Sequence, residues 1–178
     1  MDKIATLAGG CFWCLEAVYQ EVKGVGLVAS GYMGGQTVDP SVQKVHAGDT
    51  GHAEVVQISF EPEVISYKEL LEIYFYIHDP TQMNRQGPDV GDEYRSAIFY
   101  HNDKQKKIAE EVKTKFAPTL WDGEIVTQIV KAGKFWPAED YNQDFYRKNQ
   151  NAGYCQVIIN PKLEKFRKKF ESKLKAST

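Results

Sequence analysis

The sequence predicts an α+β fold: a single domain spanning residues 1–178, with a mixed sheet, helices packed on it and a ferredoxin-like split βαβ core. Three observations lead there. The order strand, helix, strand occurs twice, which is the signature of a split βαβ unit. Phe12, Leu15, Tyr19 and Val22 recur at spacings of 3, 4 and 3, the period of a helix. A chain of 178 residues is most simply one domain, long enough to bury a sizeable core.

The elements follow in order. Lys3 to Ala8 reads as a short strand ending at Gly9-Gly10, and Cys11 to Val22 as the helix that carries the stripe. Leu27 to Tyr32 is a second strand, broken by Gly34-Gly35. Nine of the fourteen glycines lie in the first 51 residues, so this part is rich in tight turns. Ala53 to Phe60 is the clearest strand, and Tyr67 to Ile77 a strongly apolar helix. Asp79 to Glu93 carries Pro, Gly and Asn without periodicity, a long loop of the kind that usually has a function. Strand Ser96 to Tyr100, helix Lys104 to Phe116, strand Ile125 to Val130 and strand Cys155 to Ile159 come next, and a helix from Pro161 closes the chain. There is no repeat, low-complexity segment or linker.

Composition narrows the function. Hydrophobic residues make up 42% and charged residues 26%, as in ordinary globular proteins. The formal net charge of −2 gives no reason to expect a nucleic-acid or membrane-surface partner. No N-terminal run resembles a signal peptide, and no apolar stretch is long enough to span a bilayer. Three cysteines are an odd number for a stapled secreted scaffold. The expectation is a cytoplasmic monomer with reduced thiols, in which closely spaced cysteines are more often chemical than structural.

The stretch LAGGCFWCLEAVYQEV, Leu7 to Val22, sets two cysteines three apart with Phe12 and Trp13 between them. A cysteine after a strand and a Gly-Gly turn, at the start of a helix, faces free backbone N–H groups. These are expected to lower the Cys11 pKa and make it nucleophilic. A buried core cysteine is the plain alternative.

Glu54 is the second candidate. Glu54, Val56, Ile58 and Phe60 share one strand face, while Ala53, Val55, Gln57 and Ser59 form the more polar one. Glu54 thus stands at the mouth of the apolar face, where burial raises a carboxyl pKa and leaves a proton to donate. In another register it frays into solvent. A nucleophilic thiol, a proton-donating carboxyl and an aromatic pair suit attack on an electrophilic centre with protonation of a departing oxygen.

The segments GCFWCLEAV, GYMGG, GHAEVVQISFEP, HDPTQMNRQGPDVGDEYRSAIFY, FWPAEDYNQDFY and GYC resemble, in order, the motifs of the type A peptide methionine sulfoxide reductases. They cover roughly Leu7 to Cys155. The resemblance implies thiol-dependent reduction of methionine S-sulfoxide, free or in oxidised proteins, with no metal or bound cofactor. It makes Cys11 the nucleophile that becomes a sulfenic acid, Glu54 the acid, and Tyr94 a hydrogen-bond donor to the sulfoxide oxygen. Phe12 and Trp13 would hold the terminal methyl and Asp89 would orient the polar side. Cys155 takes the place of the first resolving cysteine, and thioredoxin, or dithiothreitol in vitro, reduces the disulfide. Three positions depart from the pattern. Val42 stands where a second active-site tyrosine is usual, Asn142 replaces a familiar histidine, and strand-like QVIIN follows Cys155 instead of glycines.

Cys14 remains open between two roles. Residues three apart are helical neighbours, so it could resolve the sulfenic acid directly or pass on a disulfide from Cys155. It could equally be a small packing residue. The reading leans to Cys155 as the main partner. A thioredoxin-like oxidoreductase would use Cys11 and Cys14 but leaves Glu54 and the long loop unexplained. A metal module of Cys11, Cys14, Cys155 and His52 lacks a second ligand pair. Pro161 to Lys175, with seven basic and two acidic residues, carries a narrow seam of Leu163, Phe166 and Phe170, suiting a docked helix with a solvated face.

Overall fold

The computed structural model of the chain describes residues 3–176. In chain order the elements are β1 (Ile4–Ala8), α1 (Phe12–Tyr19), β2 (Val25–Met33), α2 (Val42–His46), β3 (Ala53–Phe60) and α3 (Tyr67–Ile77). A small hairpin of β4 (Arg85–Gln86) and β5 (Asp89–Val90) is followed by a 3₁₀ turn over Asp92–Tyr94. Then come β6 (Ala97–Tyr100), α4 (Asp103–Glu111), α5 (Ala117–Leu120), β7 (Gln128–Lys131), β8 (Trp136–Pro137), α6 (Phe145–Lys148) and α7 (Asn160–Lys169).

The main sheet has the order β7-β6-β1-β3-β2-β8. Its centre, β6-β1-β3-β2, is the antiparallel ferredoxin-like arrangement that the twofold strand-helix-strand order predicts. β7 adds in parallel beside β6 and makes the sheet mixed, while β8 pairs with β2. The split topology leaves β1 in the middle, so the turn after Ala8 delivers α1 onto the sheet's interior, over β2 and β3. Leu15, Val18 and Tyr19 of α1 are fully buried there with Leu7, Val56 and Ile58. Deleting one such Leu side chain would cost about 2–5 kcal/mol. A second, smaller cluster on the opposite face gathers Ala8, Met33, Ala53, Val55, Ala97 and Phe99. Glu54 therefore faces the helices, and the strand-face assignment of Glu54, Val56, Ile58 and Phe60 holds.

α3 keeps its predicted bounds because its start is locally specified. The Ser66 hydroxyl accepts from the Glu69 amide at 3.1 Å and the Glu69 carboxylate accepts from the Ser66 amide at 2.8 Å, a complete capping box. The Asp79–Glu93 loop is not wholly irregular, since it contains the β4-β5 hairpin.

One predicted strand is overturned. Cys155–Ile159 forms a π-helical turn that runs into α7. The β-branched composition of QVIIN suggested a strand. The period decides otherwise: Cys155, Ile159, Leu163 and Phe166 are all buried, at spacings of 4, 4 and 3, and extend the seam of the C-terminal helix. The predicted strand Ile125–Val130 begins later, at Gln128, and α2 and β8 carry no strong period and were not foreseen.

Candidate active site

Cys11 ends the turn between β1 and α1. Gly10 adopts φ +90, and a Cβ there would meet Gln86 side-chain carbons at 2.7–2.8 Å, so the bend requires glycine on both counts. Cys11 itself is the N-cap of α1, with extended φ and ψ. The Cys14 amide donates to its carbonyl at 3.1 Å, and the Trp13 amide donates to its sulfur.

β3 brings Glu54 to this point. The Phe12 amide donates to Glu54 Oε1 at 3.1 Å, so the first free N–H of the helix is spent on the carboxyl. The other oxygen, Oε2, lies 3.0 Å from His46 Nε2. Glu54 is 2% exposed, and burial raises its pKa against the opposing pull of His46 and the Phe12 amide. It does not fray into solvent. The His46 pKa is raised, first by its hydrogen bond to Glu54. Tyr94, from the 3₁₀ turn, sets its hydroxyl 3.4 Å from the same His46 nitrogen.

The predicted low pKa of Cys11 is corrected. Burial pushes the thiol well above its ordinary range, and the Glu54 charge and then Cys14 add to the rise. The Trp13 amide pulls the other way and is outweighed by burial and these charges, and the first amide of α1 points at Glu54. Cys11 therefore rests as a thiol beside a protonatable carboxyl.

The aromatic pair divides. Phe12 is buried and leans on Tyr32, with ring centres 5.7 Å apart. Trp13 is half-buried, stacked on Phe145 at 3.6 Å with the planes 3° apart, and Tyr154 meets its edge at 5.6 Å. Its indole N–H donates to Asn142 Oδ1 at 3.0 Å, so Asn142 fixes the ring. Asp89 is held by the Tyr154 hydroxyl at 2.7 Å, and the same hydroxyl lies 3.7 Å from Cys14 Sγ.

Cys14 and Cys155 are both buried and unbridged. Burial raises both pKa values; Lys162 is the strongest influence pulling Cys14 down, and Cys14 is the second cause raising Cys155. A cavity of about 220 Å³ reaches Cys11 and Cys14 between Pro88, Asp89, Tyr154, Val157 and Lys162. A neighbouring cavity of about 350 Å³ shares Gln86, Gly87 and Lys162 with it but touches no cysteine. His52 lies apart from this constellation, accepting from the Gly35 amide at 3.0 Å and bonded to the Thr37 carbonyl at 2.7 Å. Among the described residues no group of His, Cys, Asp or Glu is placed to hold a metal, and no helix is long and apolar enough to cross a membrane.

Sequence reasoning missed His46, Phe145 and Tyr154. His46 ends a five-residue helix with no detectable period, and only its nearness to Glu54 in the chain hinted at it.

Comparison with known proteins agrees over most of the chain. The family described as peptide methionine sulfoxide reductase matches residues 3–174. The peptide methionine sulfoxide reductase MsrA of Sulfolobus acidocaldarius is 54% identical over 171 residues, covering 96% of this chain and 97% of that protein. Among solved structures, Mxr1 of Saccharomyces cerevisiae in reduced form superposes with a TM-score of 0.78 at 37% identity, covering 86% of this chain and 88% of that one. The same yeast protein in complex with Trx2 superposes at 0.54 with 28% identity, covering 80% and 84%.

Proposed function

The chain belongs to the peptide methionine sulfoxide reductase family, and from that premise we propose how its residues divide the work of reducing methionine sulfoxide with thiols. A thioredoxin-like disulfide oxidoreductase is not favoured, since the family match runs over residues 3–174. One domain carries the whole cycle. The observation that carries the residue assignment is the convergence of Cys11 and Glu54 at the start of α1, joined through the Phe12 amide.

Cys11 is the nucleophile. Its sulfur attacks the sulfoxide sulfur while Glu54 gives a proton to the sulfoxide oxygen, steadied by the Tyr94 hydroxyl. The thiol proton leaves to solvent, the oxygen passes to Cys11 as a sulfenic acid, and methionine departs. Methionine sulfur is reduced by two electrons and Cys11 oxidised by two. The raised Cys11 pKa fits this order, because the Glu54 charge that opposes thiolate formation vanishes when Glu54 carries its proton. Trp13, clamped by Phe145 and Asn142, receives the S-sulfoxide's methyl group, and buried Phe12 backs the pocket. Asp89 acts through Tyr154 on the polar side.

A second thiol then attacks the sulfenic acid, releasing water and forming a disulfide. Cys14 fits this role best. It is three residues from Cys11 on the first turn, and it influences both Cys11 and Cys155 electrostatically. Cys155 takes the bond onward, and the thioredoxin reductant is supported by the yeast relative solved with Trx2. Turnover of methionine sulfoxide with dithiothreitol as reductant tests the reading. No methionine formed by the intact chain would overturn it.

A further inference from the structure

We infer that His46 is the positioning residue and proton relay of Glu54, returning a proton from solvent to the buried carboxyl through Nε2. The inference rests on the reading of Glu54 as the acid.

The two oxygens of Glu54 face different ways. Oε1 accepts from the Phe12 amide beside Cys11, while Oε2 lies 3.0 Å from His46 Nε2. The carboxyl is sealed, 2% exposed, whereas the His46 side chain is 45% exposed. An acid that discharges in every cycle must be recharged, and His46 is its wet neighbour. The imidazole is held for this. Val45 is buried under the short helix, Ser41 caps it by accepting from the Lys44 amide at 3.3 Å, and the Val42 amide donates to Glu139 Oε2 at 2.9 Å. Val42 brings no hydroxyl to Glu54, and His46, one turn further on, brings a titrating nitrogen instead.

The surrounding groups favour a charged imidazole. Glu54 faces it from β3, Glu93 and Tyr94 from the 3₁₀ turn, and Asp89 from β5, while Cys11 lies behind Glu54 at the start of α1. Its own helix adds the exposed Lys44. Tyr94 shares the same nitrogen at 3.4 Å, so the ring also orients that hydroxyl.

The proton account closes. Glu54 gives its proton to the sulfoxide oxygen, His46 gives one to Glu54, solvent gives one to His46, and the Cys11 thiol proton goes to solvent. Two basic groups sharing one proton hold it to a higher pH than either alone. The pair therefore stays loaded above the pH at which Glu54 by itself would empty.

The test is the pH dependence of methionine formation, both in a single turnover and over successive turnovers recycled with dithiothreitol, in wild type, His46→Gln, His46→Ala and Glu54→Gln. Gln keeps reach and hydrogen bonding but does not titrate. The expected result is an alkaline limb moved to lower pH by about one unit in both His46 variants, a loss of about tenfold on the alkaline side. Added imidazole should restore His46→Ala and leave His46→Gln unchanged. An unmoved limb in both His46 variants, with Glu54→Gln still slow, would overturn the relay alone. A Glu54→Gln variant as fast as wild type would instead remove the acid assignment beneath it.

Discussion

The Phe12 amide and Glu54 Oε1 meet at 3.1 Å, joining the first turn of α1 to the strand that runs beneath it. This bond fixes the Glu54 carboxyl beside Cys11, and it also diverts a helix N–H that would otherwise favour a thiolate. The same contact therefore positions one group and withholds support from the other.

Removing the acid should separate these two effects. Glu54→Gln keeps the contact with the Phe12 amide and has no proton to give. Methionine formation in a single turnover should slow by about 10²–10⁴-fold. Wild-type rates at neutral pH would make Tyr94 the leading acid.

The same variant predicts a change at Cys11. Glu54 is the second cause of the raised thiol pKa, after burial. Its removal should lower that pKa, so the thiolate appears at lower pH. Burial remains, so the value should stay above that of a free cysteine. Rates of iodoacetamide labelling against pH, read at Cys11 by mass spectrometry, should show the curve displaced downward in Glu54→Gln. An upward displacement would mean that the carboxyl supports the thiolate.

Cys11→Ser should lose all reduction, even with dithiothreitol in excess, because an alcohol is a far poorer nucleophile than a thiolate. Measurable turnover would move the nucleophile to Cys14 or Cys155.

Trp13 offers a test of the substrate pocket. Its ring is gripped by Phe145 on one face and by Asn142 at the indole N–H. Trp13→Ala should lower kcat/KM by about 10–200-fold, the worth of a small apolar contact in a specificity pocket. Asn142→Leu, which frees the indole edge, should give a smaller loss in the same direction. Unchanged kcat/KM in both would assign Trp13 to packing.

Legibility in the sequence followed the range of the interaction that decides each feature. α3 and β3 have their predicted bounds, since a capping box and a two-residue period act within the element itself. Glu54 could be placed on the apolar face because alternation alone settles which residues share a side. The Cys11 pKa came out reversed, because helix-start amides are visible locally while the burial and the Glu54 charge arrive only on folding. His46 went unseen because it ends a five-residue helix with no detectable period, and its contact with Glu54 on β3 forms only on folding. The Cys155 segment misled through composition: valine and isoleucine favour strands, but burial at Cys155, Ile159 and Leu163 follows a helix.

That helical setting bears on the order in which the cysteines react. A strand would have limited the travel of Cys155; a π-helical turn anchored in the core by Cys155 and Ile159 limits it further. Cys14 needs no such travel. Cys11 is the N-cap and Cys14 the third helical residue, a turn apart and already tied by the bond from the Cys14 amide to the Cys11 carbonyl. Sulfurs presented from neighbouring helical positions can meet by side-chain rotation and adjustment of the first turn. Cys155→Ser should therefore lose both remaining thiols after one equivalent of methionine sulfoxide, as a Cys11–Cys14 disulfide formed at the wild-type rate. Its recycling by thioredoxin should be slower, because the onward step to Cys155 is gone. Cys14→Ser should instead accumulate a Cys11 sulfenic acid that dimedone traps, with the Cys155 thiol still countable. A Cys11–Cys155 disulfide appearing in Cys14→Ser as fast as the wild-type bridge would show that Cys155 resolves directly and that the π-helical turn opens readily.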